Sequence, residues 1–327
     1  MVKNWIKEVA VAVLASTLFP VVLFSFVSRI LPNADSQSQP DATLGTYTET
    51  DGIYESVLVE MNDGSITELP MEDYIVSVVL REIPAGFHQE TLKAQAVVAR
   101  TYTVRNMRRG GKHDPADICA DASCCQGYWG IEDYLSDGGT QNVVECVRAA
   151  VNNTAGQILL YNAEPIEATY FSCSGGYTED AVAVWGTDVP YLKATSSPGE
   201  ENAKHYTDTV HFSVSEVCRK LNIDLVDSRK FKIEKITYTA GGGVDSVWIC
   251  GKELKGTYIR KALGLRSTSF VITLVGTSVT ITTKGYGHRV GMSQYGADAM
   301  AVQGADYTQL LYHYYRGVEL HSINDLY

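Results

Sequence analysis

Hydrophobic positions change character along this chain. Residues Val9 to Val27 form 19 consecutive positions without a charge, behind Lys3 and Lys7. A helix of about 20 apolar residues spans the hydrocarbon core of a bilayer, and basic residues before it favour a cytoplasmic N-terminus. A cleavable signal peptide fits less well: the run exceeds the usual apolar segment of about 7–15 residues, and no small-x-small site follows it closely. From Pro32 the composition turns to Asn, Asp, Ser, Gln, Pro and Thr, with little that can pack. The pattern therefore divides the chain into a cytoplasmic N-terminus (1–8), a transmembrane anchor (9–29), a flexible stalk (30–52) and a folded domain (53–327).

Within that domain the period shortens to that of strands. Ser56-Val57-Leu58-Val59-Glu60-Met61 reads as a strand, Asn62-Asp63-Gly64 as a turn and Ser65-Ile66-Thr67-Glu68-Leu69 as the returning strand of a hairpin. Met71 to Leu80 is apolar with a few polar interruptions and runs into Arg81-Glu82-Ile83-Pro84, where the proline drives its predecessor out of helical space. Glu82 therefore sits at a chain reversal. Gln89 to Arg109 predicts a helix, with Leu92, Ala96, Ala99 and Thr103 on one stripe, Glu90 in the first turn and Gly110-Gly111 at the end.

Residues 112–139 are polar and cysteine-bearing and read as an irregular insertion, after which Val143 to Val151 offers a short helix. Gln157 to Ser172, Lys230 to Trp248 and Phe270 to Thr283 are rich in Val, Ile, Thr and Tyr and favour strands. The sum is an α+β fold, a mixed β-sheet with a few helices and an irregular, metal-binding insertion. With 327 residues, 45% of them hydrophobic, the chain buries a sizeable core, and its net charge of −11 excludes nucleic acid as a partner held through a general basic surface.

Three stretches carry candidate chemistry. Glu82 lies between the apolar run Ile75-Val76-Ser77-Val78-Val79-Leu80 and Ile83-Pro84, surroundings that withdraw water and raise a carboxyl pKa. A glutamic acid protonated near neutrality can protonate a glycosidic oxygen and then, once ionised, take a proton back. Hydrolysis calls for a second carboxylate, whereas a lytic transglycosylase uses a hydroxyl of its own substrate and manages with one. A structural ion pair with Arg81 or Arg100 is the competing role.

His113, Cys119, Cys124 and Cys125 fall close together in a loop poor in core material, and one imidazole with three thiolates suits a closed, structural zinc site. Disulfides are the alternative, although seven cysteines, with Cys146, Cys173, Cys218 and Cys250, leave at least one unpaired. The third stretch is Gly285-Tyr286-Gly287-His288-Arg289-Val290-Gly291-Met292-Ser293-Gln294-Tyr295-Gly296-Ala297. Its glycines let backbone approach a ligand, His288 and Gln294 offer hydrogen bonds, and Tyr286 and Tyr295 offer faces on which a sugar ring stacks; a glycine-rich turn capping a helix is the plainer alternative. Thr169 to Glu179, followed by Trp185-Gly186, brings aromatics and hydroxyls around a Gly-Gly turn. Cys173 within it has no histidine close in sequence to make it a nucleophile.

Taken together, Leu80-Arg81-Glu82-Ile83-Pro84, Lys93-Ala94-Gln95-Ala96, Ala99-Arg100-Thr101-Tyr102, Cys125-Gln126-Gly127-Tyr128, the Phe171 to Glu179 run, Arg266-Ser267-Thr268-Ser269-Phe270 and the glycine loop resemble the stage II sporulation protein D family, which includes the amidase-enhancer proteins. The resemblance covers about Ile53 to Tyr315. It implies a membrane-anchored lytic transglycosylase acting on peptidoglycan during engulfment. Such an enzyme cuts stem-peptide-free glycan between N-acetylmuramic acid and N-acetylglucosamine and leaves anhydro-muramyl ends. It further implies stage II sporulation proteins P and M as partners, and a place in the mother-cell membrane with the catalytic domain facing the septal space. Glu82 matches the family's catalytic acid/base. The family's metal ligands run His, Cys, His, Cys, so Cys124 stands where histidine is usual. Gln95, Arg100, Tyr102, Tyr177, His288, Ser293, Gln294 and Tyr295 are the expected substrate-groove residues, and Arg289 stands where glycine is common, restricting the backbone or contacting an acidic sugar substituent. A non-catalytic glycan-binding scaffold that stimulates a partner amidase is the rival function, and a cysteine peptidase using Cys173 a third.

Overall fold

The computed structural model describes residues 54–224 and 227–326. The first of these form the expected hairpin: Ser56–Glu60 pairs antiparallel with Ile66–Pro70, Ser56 opposite Pro70 and Glu60 opposite Ile66. Gly64, at φ +83°, supplies the left-handed position that closes the turn. The apolar run then forms a helix, Met71–Glu82, entirely buried from Tyr74 to Leu80. It stops at Glu82 because Ile83, ahead of Pro84, turns extended (φ −107°, ψ 131°).

The second helix, Gln89–Arg108, is the wall between two cores. Leu92, Ala96, Ala99 and Tyr102 pack with the Met71–Glu82 helix and with Val144, Val147 and Val151 of the helix Gln141–Asn152. Its Ala94, Val97 and Val98 pack on the other side with Leu159, Met292, Ala297 and Leu311. Its buried alanines explain how one helix closes two cores: small side chains let elements on both sides approach. A third core lies among the strands Thr207–Ser213, Val244–Ile249, Phe270–Val275 and Ser278–Lys284 and the helices Val214–Leu221 and Gly256–Leu263.

The fold is α+β, and the mixed β structure is divided among several sheets of two or three strands. Most pairs are antiparallel hairpins; two are parallel, Val59–Glu60 with Ile118–Cys119 and Met292–Ser293 with Tyr170–Phe171. Both parallel pairs bring functional stretches together, the first tying the insertion to the hairpin and the second tying the glycine loop to the strand before Cys173. The expected strand over 157–172 is broken into Gln157–Tyr161, Glu164–Pro165 and Tyr170–Phe171. The insertion is less irregular than its composition suggests, since it contains the Ile118–Cys119 strand and a short helix, Ile131–Ser136.

The expectation of a membrane-spanning, single-pass chain requires correction. No helix among the described residues is long and apolar enough to cross a membrane. The longest of them, Gln89–Arg108, has 20 residues but carries Glu90, Lys93, Arg100, Arg105 and Arg108. The N-terminus, anchor and stalk assigned to residues 1–52 lie outside the described residues. The placement in a mother-cell membrane and the partnership with stage II sporulation proteins P and M therefore find no support.

Candidate functional site

Glu82 is the C-terminal residue of its helix and points its carboxyl at the end of the cysteine insertion, where the Gly127 N–H donates to Oε1 at 2.7 Å. Burial raises its pKa above the ordinary carboxylate value, while that N–H, the Arg81 charge and a hydrogen bond with the Tyr170 hydroxyl hold it back. Neither suggested ion pair forms. Arg100, fully buried, grips Glu72 with two bonds (2.9 and 2.5 Å) and Gln157 O with a third (3.0 Å). The Arg81 guanidinium lies over Trp129, 5.5 Å from the ring centroid.

A cleft of about 640 Å³ opens beside this carboxyl, bordered by Phe87, Trp129, Asn142, Cys146, Lys204 and His205. Among the described residues that line it, Glu82 alone carries a carboxyl. Gly127 has to be a glycine here, because a Cβ would come within 2.6 Å of Arg81 Cγ and 2.8 Å of Glu82 Oε1. Tyr170, whose one hydroxyl proton is shared between Glu82 and Gln126 Oε1 at 3.2 Å, completes a polar chain: Gln126 Nε2 donates to Thr103 Oγ1 at 3.0 Å and to Tyr74 Oη at 3.4 Å. Burial lifts the Tyr170 and Tyr74 phenols above their usual range, so both stay protonated. Tyr170, Gln126 and Gly127 stood within stretches singled out in the sequence, but none of them was assigned a role beside Glu82.

The second constellation lies at the near end of the same insertion. One ligand atom each from His113, Cys119, Cys124 and Cys125 falls within 4.8 Å of all the others. His113 Nε2 lies 3.4 Å from Cys124 Sγ and 3.5 Å from Cys125 Sγ, and the two sulfurs are 3.9 Å apart. With metal–sulfur bonds near 2.3 Å, the edge of a tetrahedron is about 3.8 Å; His113, Cys124 and Cys125 stand close to that spacing, and Cys119 Sγ lies within 4.8 Å of each. His113 Nδ1 is held by Glu60 Oε2 at 2.9 Å, the carboxylate–histidine pairing that orients an imidazole ligand. Glu60 and Cys119 are paired residues of the parallel strands, so the hairpin sets both. Burial pushes the Cys119 thiol up to about 12 and raises Cys125, which makes them neutral thiols until a cation displaces the protons. All seven cysteines are free, which removes the disulfide alternative from the described structure.

None of the eight expected groove residues lines the Glu82 cleft. Tyr295 touches one residue of its lining, its ring meeting Phe87 edge-on at 5.0 Å. Gln95 and Gln294 meet inside the protein, Gln294 Nε2 donating to Gln95 Oε1 at 3.4 Å. Ser293 is buried, donating to Glu200 Oε1 (2.5 Å) and receiving the Gly296 N–H as helix cap. Glu200 also accepts from Ser174 N and Oγ, Gly175 N and Ser197 Oγ, so it knits the Gly-Gly turn to the glycine loop. Tyr102 receives Lys112 Nζ at 3.1 Å. His288 sits between Phe171 and Trp185, accepts the Val290 N–H at Nδ1, and is pushed by burial down to about 4, so it stays neutral. Tyr177 is exposed, as are Trp185 and Tyr286.

Arg289 settles its own two readings. Its φ of +67° is the left-handed conformation that glycine would hold freely, yet its side chain turns inward to Glu179 at 2.9 Å and to the carbonyls of Ser174, Tyr177 and Gly241. It contacts no surface groove. Cys173 is fully buried, with a thiol raised to about 11, so it offers neither access nor thiolate for nucleophilic attack.

A partly desolvated glutamic acid in an open cleft, joined through Gln126 and Gly127 to a His/Cys cluster able to hold a metal, defines an acid-centred cleft site. The family model described as Stage II sporulation protein matches residues 60–161, which contain Glu82 and all four clustered ligands. Two relatives named Stage II sporulation protein D are similar over most of the chain. The one from Bacillus amyloliquefaciens is 42% identical over 262 residues, 78% of this chain and 75% of its own length. The one from Bacillus subtilis (strain 168) is 40% identical over 261 residues, 78% and 76%. A protein of the same B. subtilis strain named Amidase enhancer is 29% identical over 298 residues, 75% of this chain and 40% of its own. The chain belongs to the stage II sporulation protein D family.

Proposed function

We propose that this chain is a lytic transglycosylase that cuts stem-peptide-free peptidoglycan strands between N-acetylmuramic acid and N-acetylglucosamine during engulfment in sporulation. The observation that carries the reading is the single carboxyl of the cleft: Glu82 lines it with no second acid to activate water. Its raised pKa keeps a proton available for the leaving glycosidic oxygen. Once ionised, the same carboxylate accepts the proton of the muramyl C6 hydroxyl, which attacks C1 and closes the anhydro ring. No water is consumed, so a second carboxylate has no task. The aromatics of the cleft itself, Phe87 and Trp129, offer stacking faces for the flanking sugars. Digestion of amidase-treated peptidoglycan by the full chain, read by mass spectrometry, is expected to yield anhydro-muramyl ends; ordinary reducing ends would mean hydrolysis and defeat the single-acid mechanism.

The likeness to an amidase enhancer supports a second reading, a glycan-binding scaffold that stimulates an amidase without cutting sugar. Sugar products decide between the two.

Zinc is the proposed occupant of the His113–Cys119–Cys124–Cys125 cluster, because one imidazole and three thiolates are its preferred donors. Its role is structural, since four protein ligands leave no open position. Cys119→Ser is expected to lower bound zinc and the melting temperature together. A wild-type chain without zinc, and a variant melting at the same temperature, would sink the assignment.

A further inference from the structure

Cys125, Gln126 and Gly127 are consecutive, and they connect the two constellations. Cys125 supplies one of the four clustered donor atoms, and two residues on, the Gly127 N–H holds the Glu82 carboxyl at 2.7 Å. Gln126, 1% exposed, is gripped at both ends of its amide, by Thr103 on the long helix and by Tyr170, which itself hydrogen-bonds Glu82. Gly127 has no slack either, since a Cβ there would strike Arg81 and Glu82. On the cluster side, by contrast, His113, Cys124 and Cys125 meet only through sulfur contacts of 3.4–3.9 Å. A bound ion would replace these with bonds of about 2.0–2.3 Å and fix where the strap begins.

We infer that Gln126 and Gly127 are positioning residues through which metal binding at the cluster orients Glu82. The inference rests on the reading of Glu82 as the acid of the cleft. The metal then does more than staple the insertion: it sets the donor that aims the carboxyl, without touching substrate. An acid displaced by about 1 Å loses on the order of 10²-fold in rate, so the effect falls on kcat and leaves KM nearly unchanged.

The test follows the Glu82 carboxyl carbon by carbon-13 NMR in the full chain, assigned by its absence in Glu82→Gln, first zinc-loaded and then stripped with a chelator. Stripping is expected to move that signal and its titration midpoint and to lower kcat about 10²-fold; restored zinc ion reverses all three. Gly127→Ala is expected to move the same signal with zinc content unchanged. A Glu82 signal and midpoint indifferent to zinc in a chain that stays folded would overturn the inference. If stripping unfolds the chain, an unmoved signal in zinc-loaded Gly127→Ala overturns it instead. Should the signal respond while no form cuts glycan, the coupling stands and the catalytic reading of Glu82 fails.

Discussion

On the proposed mechanism, Glu82→Gln is expected to lower sugar release from peptidoglycan by about 10²–10⁴-fold, the range that a positioned acid–base group contributes, while leaving the chain folded. Glutamine keeps the shape and accepts the Gly127 N–H but cannot supply a proton to the leaving oxygen. The stability side has a definite sign. Burial raises the Glu82 pKa, so between the ordinary glutamate value and the raised one the folded chain binds more protons than the unfolded chain. The favourable contribution of the protonated form is complete below the ordinary value and is lost as pH rises through the raised one. The variant lacks that loss, and its melting temperature should fall less than the wild type's as pH increases across this window. On the proposed mechanism wild-type activity should decline over the same interval, because its first step needs the acid form. A Glu82→Gln chain that still released anhydro-muramyl products would remove Glu82 from the chemistry. One that released none but still stimulated an amidase, beside a wild type that also released none, would favour the scaffold.

The hairpin, the long helix, the turn at Glu82 and the grouping of His113 with Cys119, Cys124 and Cys125 were legible because local signals decide them: Asn-Asp-Gly, a 3.6-residue stripe, Pro84 and short ligand spacing. Partners distant in sequence were not. Nothing around Arg100 announces Glu72, 28 residues earlier, and nothing around Ser293 announces Glu200, 93 residues earlier. Polar residues in matching motifs were therefore expected to face substrate, whereas the structure shows Arg100 and Ser293 satisfied inside the protein and Gln95 buried there with its Nε2 unpartnered. The glycine loop shows how both readings of one stretch can hold: Ser293 caps a helix, as a plain turn would, while Tyr286 remains exposed. Tyr170, noticed only as an aromatic of its stretch, was not linked to Glu82, because its partners Gln126 and Glu82 and its parallel pairing with Met292, across 122 positions, are all distant in sequence.

Arg289→Gly separates backbone from side chain at the most demanding position of that loop. Glycine relieves the left-handed φ of +67°, worth about 1 kcal/mol. It also strips a buried guanidinium from Glu179 and leaves three carbonyls, those of Ser174, Tyr177 and Gly241, without their donor. Removing one partner of a buried pair costs about 3–5 kcal/mol, because the other charge stays behind in a poorly solvated place. The pair term wins, and the variant should lose roughly 2–4 kcal/mol in chemical denaturation after the backbone gain is subtracted. Glu179 is well placed to amplify the loss: Thr239 and the Gly243 N–H still serve Oε1, but Oε2 has no partner and Gly241 leaves no room for a shift. Adding Glu179→Gln should return part of the stability, since the charge that makes the single variant costly is then gone. Strict additivity of the two changes would show that Arg289 serves the carbonyls alone and that its pairing with Glu179 contributes nothing.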